Sequence, residues 1–333
     1  MDTVVSGIRP TGNLHIGNYF GAVKGFLQMQ QSYNCYFFIA DWHALTTHPK
    51  PEDARTKAQI ILAEYLACGL DPEQVTLYFQ SDVPEVLELY LYLNMNAYLG
   101  ELERTTTFKE KARKQPQNVN AGLLTYPTLM AADIMLHRAQ RVPVGKDQEQ
   151  NMEMARKFAR RFNTIYGCNL FPEPQSWSPN QSPVKIPGLD GSGKMGKSEG
   201  NAIYLSDDDK TISKKVMKAV TDSGPTQPNS PMAEPIANLF TLLEVVSKPE
   251  VVESFRNAYN ACTIRYGDVK KQLATDLVAF TAPIREKIME YRANTKLLEE
   301  VAAFGAEKAR KSARQTMLLV REAVGFPPSY YHK

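Results

Sequence analysis

A chain of 333 residues can bury a large core and favours two domains or one enlarged one. Its 43% hydrophobic and 23% charged residues are those of an ordinary globular protein, and a net charge of +3 excludes a wholesale nucleic-acid coat while allowing a local basic surface. No apolar run reaches transmembrane length, and Met1-Asp2-Thr3 lacks the regions of a signal peptide, so no membrane association is expected. Cys35, Cys68, Cys168 and Cys262 lie far apart with no Cys-x-x-Cys pair. That pattern argues against a zinc knuckle or disulfide framework, fits a reducing compartment and leads to an expected cytoplasmic location.

In chain order, Thr3-Val4-Val5 reads as a buried strand leading into Gly7–Gly21, where Pro10 and Gly12 mark a turn. From His15 the apolar residues Ile16, Tyr19, Phe20, Val23, Phe26 and Leu27 fall at helical spacing. Strand, glycine-bearing turn and helix start make a phosphate-binding arrangement, because the first helical N–H groups and the dipole face an anion. Gly17 leaves room for a base or ribose against the backbone. An ordinary strand–helix junction with an incidental histidine fits the spacing equally well. Cys35–Ala40 has the pattern of a buried parallel strand, Glu52–Cys68 of a helix and Val75–Phe79 of the next strand. This alternation predicts an α/β fold with a doubly wound parallel sheet, whose ligands bind at the carboxyl ends of the strands.

Residues 84–165 are mostly helical in pattern, interrupted by a strand end at Arg141–Gly145 with a helix starting near Asp147. Phe171–Pro183 reads as a proline-rich loop, and Lys185-Ile186 is expected to close the sheet. Thr211–Val220 is helical, Thr221–Pro235 a connection, and a mainly helical region extends to about residue 305. Lys308, Arg310, Lys311, Arg314 and Arg321 cluster on one predicted helix, which is more commonly a solvated face than an RNA contact.

Gly191–Ser198 matches the pattern G-x-x-x-x-G-K-[ST]. Its surroundings do not suit a P-loop, since Pro187–Asp190 is no buried strand and Gly200 cuts short any following helix. What remains is a basic loop whose Lys194 and Lys197 could close over a triphosphate, or an exposed basic surface loop.

His15-Ile16-Gly17-Asn18 and Lys194-Met195-Gly196-Lys197-Ser198 together resemble the signature pair of the class I aminoacyl-tRNA synthetases. Gly7–Gly12, Gly100–Arg104, Ala121–Pro127, Met130–Ile134, Pro143–Gln148 and Ala219–Ser223 are similar to segments of the bacterial tryptophanyl-tRNA synthetases. The resemblance covers nearly the whole chain. It implies a Rossmann-like catalytic domain over 1–205 with a helical insertion at about 84–165. A helical anticodon-binding domain would span 206–305, and a C-terminal helix over 306–333 would pack back on the first domain. It also implies a homodimer that uses L-tryptophan, ATP and tRNA(Trp), with Mg²⁺ held mainly by the nucleotide and no structural metal. The rival readings are a tyrosyl-tRNA synthetase, a P-loop ATPase and a non-catalytic synthetase-like RNA-binding regulator.

By the same resemblance, His15, Lys111, Lys194 and Lys197 carry the chemistry. Arg9, Pro10, Thr11, Gly17, Asn18, Gly145, Lys146, Asp147, Ile186, Met195, Gly196 and Ser198 join the two loop lysines around ATP. Val5, Gly7, Tyr126, Met130, Asp133, Val142, Val144 and Gln148 would surround tryptophan. Tyr126, Met130 and Asp133 are spaced to share a helix face. Asp133 lies in the apolar run Leu129–Leu136, where an unpaired carboxylate is costly. Its partner could be structural, such as Arg138 or a backbone amide, or it could be a ligand's indole N–H, which the resemblance favours. Trp42, His43 and His48 read as sheet-end packing. Gly196 departs from the serine usual in the second signature, which removes a hydroxyl from that loop, and Val5 stands where a larger apolar residue often packs.

Overall fold

Five parallel strands, in the order β3-β2-β1-β4-β5, form the centre of a computed structural model that describes residues 1–177, 185–197 and 199–327. The strands are β1 Thr3–Ile8, β2 Asn34–Ile39, β3 Thr76–Phe79, β4 Arg141–Pro143 and β5 Gln175–Trp177. Along β2 the side chains alternate between two cores. Cys35, Phe37 and Ile39 join the cluster beneath the Pro51–Ala67 helix, whereas Tyr36 and Phe38 join the cluster beneath the Tyr126–Leu136 helix. Both faces of the sheet are therefore covered, as a parallel sheet requires.

The chain leaves β1, crosses to β2 and then to β3, and only later returns to the other side of β1 as β4. The strand order reverses between β1 and β4. A crevice opens at the carboxyl ends of strands at such a reversal, and the candidate site lies there.

The fifth strand corrects an expectation. Lys185 and Ile186 are not in a strand; the sheet is closed by Gln175–Trp177, within the stretch read as a loop. Gln175 pairs with Arg141 and Trp177 with Pro143, and the Trp177 ring packs 5.1 Å from that of Tyr33. The strand is a three-residue edge, so no apolar periodicity announces it. Residues 178–184 of the expected loop lie outside the described residues.

The opposite edge is covered by a helix, Thr295–Val324, that runs unbroken through residue 305. A Cβ on Gly305 would stand 1.7 Å from the Leu77 carbonyl oxygen of β3, so only glycine lets the helix lie this close to the edge. The same helix places its basic residues against the sheet domain. Lys308 Nζ donates to the Pro72 carbonyl, Arg310 Nε to that of Asp82, and Arg314 and Arg321 pair with Glu85 and Glu88. These cations are engaged within the chain. In the chain between β5 and this helix, the Asp209–Met217, Glu234–Val246, Pro249–Asn260 and Tyr266–Ala293 helices build a second, helical region.

Candidate active site

The turn after β1 is closed by a hydrogen bond from the Thr11 N–H to the Arg9 carbonyl, with Gly12 at φ +110°. A helical segment then starts at Ile16, passes through a π-helical turn at Tyr19–Val23 and continues as Lys24–Met29. Asn18 Oδ1 accepts from the backbone N–H of His15 at 3.1 Å, which caps this start. The first-turn donors are less available than the sequence suggests. The Ile16 N–H bonds to the Ile203 carbonyl and the Asn18 N–H to that of His15. An anion approaching this turn would meet side-chain cations rather than a bare helix end.

A cavity of about 630 Å³ opens at the switch point. Among the residues singled out from the sequence, it brings together Val5, Gly7, Arg9, Thr11, Asn18, Tyr126, Met130, Asp133, Val142, Val144, Gly145, Asp147, Gln148, Lys194 and Lys197. Others sit behind its walls. His15 and Met195 are buried against Gly17, where an added Cβ would come within 2.8 Å of His15 Nδ1 and 3.5 Å of Met195 Cβ. Pro10 is buried in the turn, and Ile186 is buried and accepts the Met195 N–H. Gly196 donates its N–H to Asn201 Oδ1. Lys146 contributes to the short helical turn Lys146–Gln148, and Ser198 lies outside the described residues.

The inner end of the cavity is apolar around one carboxylate. Asp133, 5% exposed, accepts from His43 Nε2 and from Gln80 Nε2, each at 2.8 Å. Arg138 and backbone amides, the structural partners considered from sequence, do not fill this role. Burial pushes the Asp133 carboxyl above its ordinary range, and its bonds to His43 and Gln80 oppose that shift. An ionised carboxylate can accept about four hydrogen bonds, so acceptor capacity remains for a donor entering the cavity. His43 follows β2 and Gln80 follows β3, so two strand ends converge on one helix residue. His43 is more than sheet-end packing: its ring lines the cavity, 4.5 Å from that of Tyr126.

The outer end is cationic. Arg9, Lys194 and Lys197 line it, and Lys111 stands outside the lining, its Nζ 3.4 Å above the centre of the Tyr126 ring in a close cation–π contact. Burial and the nearby Arg9 lower its pKa to about 8. Lys197 Nζ donates to the Gly12 carbonyl at 2.6 Å and to Thr11 Oγ1 at 3.4 Å, and burial lowers its pKa to about 8 as well. The His15 pKa falls to about 4, through burial and then the charges of Lys197 and Lys194, so its imidazole is neutral near pH 7. Arg9 has a buried Nε with no partner. Lysine and arginine charges gathered in a half-enclosed crevice suit a polyphosphate.

The second glycine-rich segment is not a P-loop. Residues 185–188 form no strand, and the chain after Gly200 bridges back to the first turn, Tyr204 opposite His15. Asn201 ties the segment together, its Nδ2 donating to Asp190 Oδ1, Ser192 Oγ and the Lys194 carbonyl. The match to the NTPase pattern is a coincidence of glycine at 196.

Residues 2–282 match the family model described as tRNA synthetases class I (W and Y). The chain is 71% identical to the tryptophan–tRNA ligase of Porphyromonas gingivalis, over 98% of this chain and all of that protein. It is 38% identical to the tryptophan–tRNA ligase of Clostridium perfringens, over 98% of each. Its fold is similar to the crystal structure of the Campylobacter jejuni tryptophanyl-tRNA synthetase complexed with ADP and tryptophan, with a TM-score of 0.87 and 34% identity, over 97% of this chain and 100% of that one. With its parallel sheet, its cationic crevice and these likenesses, the chain belongs to the class I aminoacyl-tRNA synthetases of the tryptophan and tyrosine family.

Proposed function

We propose that the chain works as a tryptophan–tRNA ligase and that the switch-point cavity is where tryptophan is activated. The carboxylate of tryptophan attacks the α-phosphate of ATP, the bond to the β-phosphate breaks and pyrophosphate leaves. The tryptophanyl group then passes from the adenylate to the terminal ribose of tRNA(Trp). The observation that carries this reading is the buried Asp133 carboxylate at the apolar end of a cavity whose other end is cationic. Such a pocket fits an indole with one N–H donor at its edge.

In this reading Val5, Gly7, Tyr126, Met130, Val142 and Val144 surround the ring, and Asp133 accepts the indole N–H. Gln148, whose Oε1 already accepts from Asn151 Nδ2, faces the ammonium group. Arg9, Thr11, Asn18, Gly145 and Asp147, which line the cavity, receive the nucleotide, with Gly17 and Ile186 in the wall behind them; Lys194 and Lys197 meet its phosphates from the lining, joined by Lys111 from beside Tyr126. No protein nucleophile is needed, because positioning and charge stabilisation carry phosphoryl-transfer chemistry of this kind. Neutral His15 acts as a hydrogen-bonding group and not as a charge. The donor set at the mouth is cationic and would repel a metal ion, which supports Mg²⁺ being held by the phosphates themselves, where it adds charge neutralisation.

Residues 206–305 are proposed as the anticodon-binding region, and the cytoplasm as the location. Among the described residues no helix is long and apolar enough to cross a membrane. A homodimer is supported by an apolar stripe on the Glu85–Met95 helix, where Leu87, Leu91 and Met95 recur at four-residue spacing and are 43%, 54% and 75% exposed. Leu91→Glu is expected to convert the dimer to monomer in sedimentation velocity; an unchanged dimer would place the interface elsewhere. The activity itself is tested by charging of tRNA(Trp) with labelled tryptophan. Ester formation is expected with tryptophan, and its absence in a folded sample would overturn the reading.

A further inference from the structure

Glu64 is a charged side chain on an otherwise apolar stretch of the Pro51–Ala67 helix, and it is fully buried at 0% exposure. Its two oxygens reach different parts of the molecule. Oε2 accepts the backbone N–H of Leu14 at 2.6 Å, and Oε1 accepts Arg292 Nη2 at 2.7 Å. Arg292 stands in the last turn of the Tyr266–Ala293 helix, in the helical region, and also donates to Asn13 Oδ1 at 3.3 Å. Asn13 in turn donates to Ser206 Oγ, and the Leu14 carbonyl accepts the Leu205 N–H. The turn that precedes His15 is thus held from below by Glu64 and from the side by the chain leading into the helical region. The carbonyl of Gly12 in this turn is what receives Lys197.

We infer that Glu64 and Arg292 are a positioning pair: they fix the Gly12–His15 turn, set Lys197 for the phosphates, and make ATP use depend on the seating of the helical region. This rests on reading the cavity as the adenylation site. An apolar pair of similar volume would serve packing alone as well or better, since burying an ion pair is costly. What the carboxylate adds is a simultaneous grip on a backbone N–H of the turn and on a side chain of a distant helix.

The pair also has a pH signature. Burial raises the Glu64 pKa to about 7, against the lowering effects of the Leu14 N–H, Arg292 and Lys197. The charged or titratable groups facing it are Arg292 from the helical region, Lys197 from the glycine-rich loop and Cys68 on its own helix, while nearby His15 is neutral. As pH falls through about 7 the carboxylate takes up a proton, one oxygen ceases to accept freely, and the grip loosens.

The test uses the full-length chain in pyrophosphate–ATP exchange. Glu64→Gln is expected to lower kcat/KM for ATP about tenfold to a hundredfold at pH 8, the scale of a small misplacement near reacting groups. Tryptophan binding measured by equilibrium dialysis stays unchanged, and the rise of kcat/KM through about pH 7 disappears. Arg292→Gln gives the same loss, Arg292→Lys recovers part of it, and the double variant is no worse than either single one. Wild-type kcat/KM with the pH limb retained in Glu64→Gln, or additive losses in the double variant, would overturn the inference. If the wild-type chain shows no exchange with any amino acid, the adenylation reading fails by itself. The pair is then judged by amide hydrogen exchange over Gly12–Asn18: about tenfold faster in Glu64→Gln supports it, and no change refutes it.

Discussion

Asp133→Asn is expected to lower kcat/KM for tryptophan by about a hundredfold to ten-thousandfold while leaving a folded protein. The substitution keeps shape and one acceptor oxygen. The new amide nitrogen donates where the carboxylate accepted, and the fold can absorb this at His43. Nδ1 of that ring is buried without a partner, so moving its proton there lets Nε2 accept from the new amide. Gln80 keeps its acceptor. The group left without a suitable partner is the substrate's indole N–H, which now meets a weaker, already engaged oxygen. A site built to hydrogen-bond a donor loses several powers of ten when that bond is lost. Steady-state exchange kinetics beside a thermal melt check this. Near-normal tryptophan use by the variant would remove Asp133 from recognition.

Lys197→Gln is expected to cut kcat by about a hundredfold to a thousandfold, with tryptophan binding retained. The wild-type lysine already sits on the first turn through Gly12 and Thr11, so its charge needs little reorganisation to meet phosphate. Its pKa and that of Lys111 are lowered to about 8. The cationic forms are present below that value and lost above it, so kcat/KM for ATP should fall as pH rises beyond about 8. Bound ATP favours the charged forms and shifts this limb upward in kcat. Pre-steady-state measurement of adenylate formation against pH checks both statements. An unchanged rate in Lys197→Gln would limit that lysine to holding the turn.

The parts of the fold that were legible in the sequence are those where one physical signal dominates. β1, β2 and β3 are short apolar runs separated by helical periodicity, so their parallel pairing, though not their order in the sheet, followed from alternation alone. The strand–turn–helix at Gly7–Gly21 and the lysine pair at 194 and 197 pointed to one phosphate-binding region, and both line one cavity. β5 was not legible, because an edge strand of three residues carries no periodicity and prolines surround it. The partners of Asp133 were hidden for a different reason. His43 and Gln80 are 90 and 53 residues away in sequence, and only the sheet brings them together. The available clue was that both lie within a few residues of a strand's carboxyl end, where such sheets bind ligands. Glu64 offered a similar clue as a lone carboxylate between Ala63 and Tyr65 in a buried helix. Its meaning required Arg292, more than two hundred residues later.

The most direct measurement is pyrophosphate–ATP exchange on the purified full-length chain with each of the twenty amino acids in turn. Exchange that depends on tryptophan, with tyrosine and phenylalanine at background, is the result expected from an apolar pocket closed by Asp133. Exchange driven by tyrosine, or none with any amino acid in a folded sample that still binds tRNA, would contradict the account of the site.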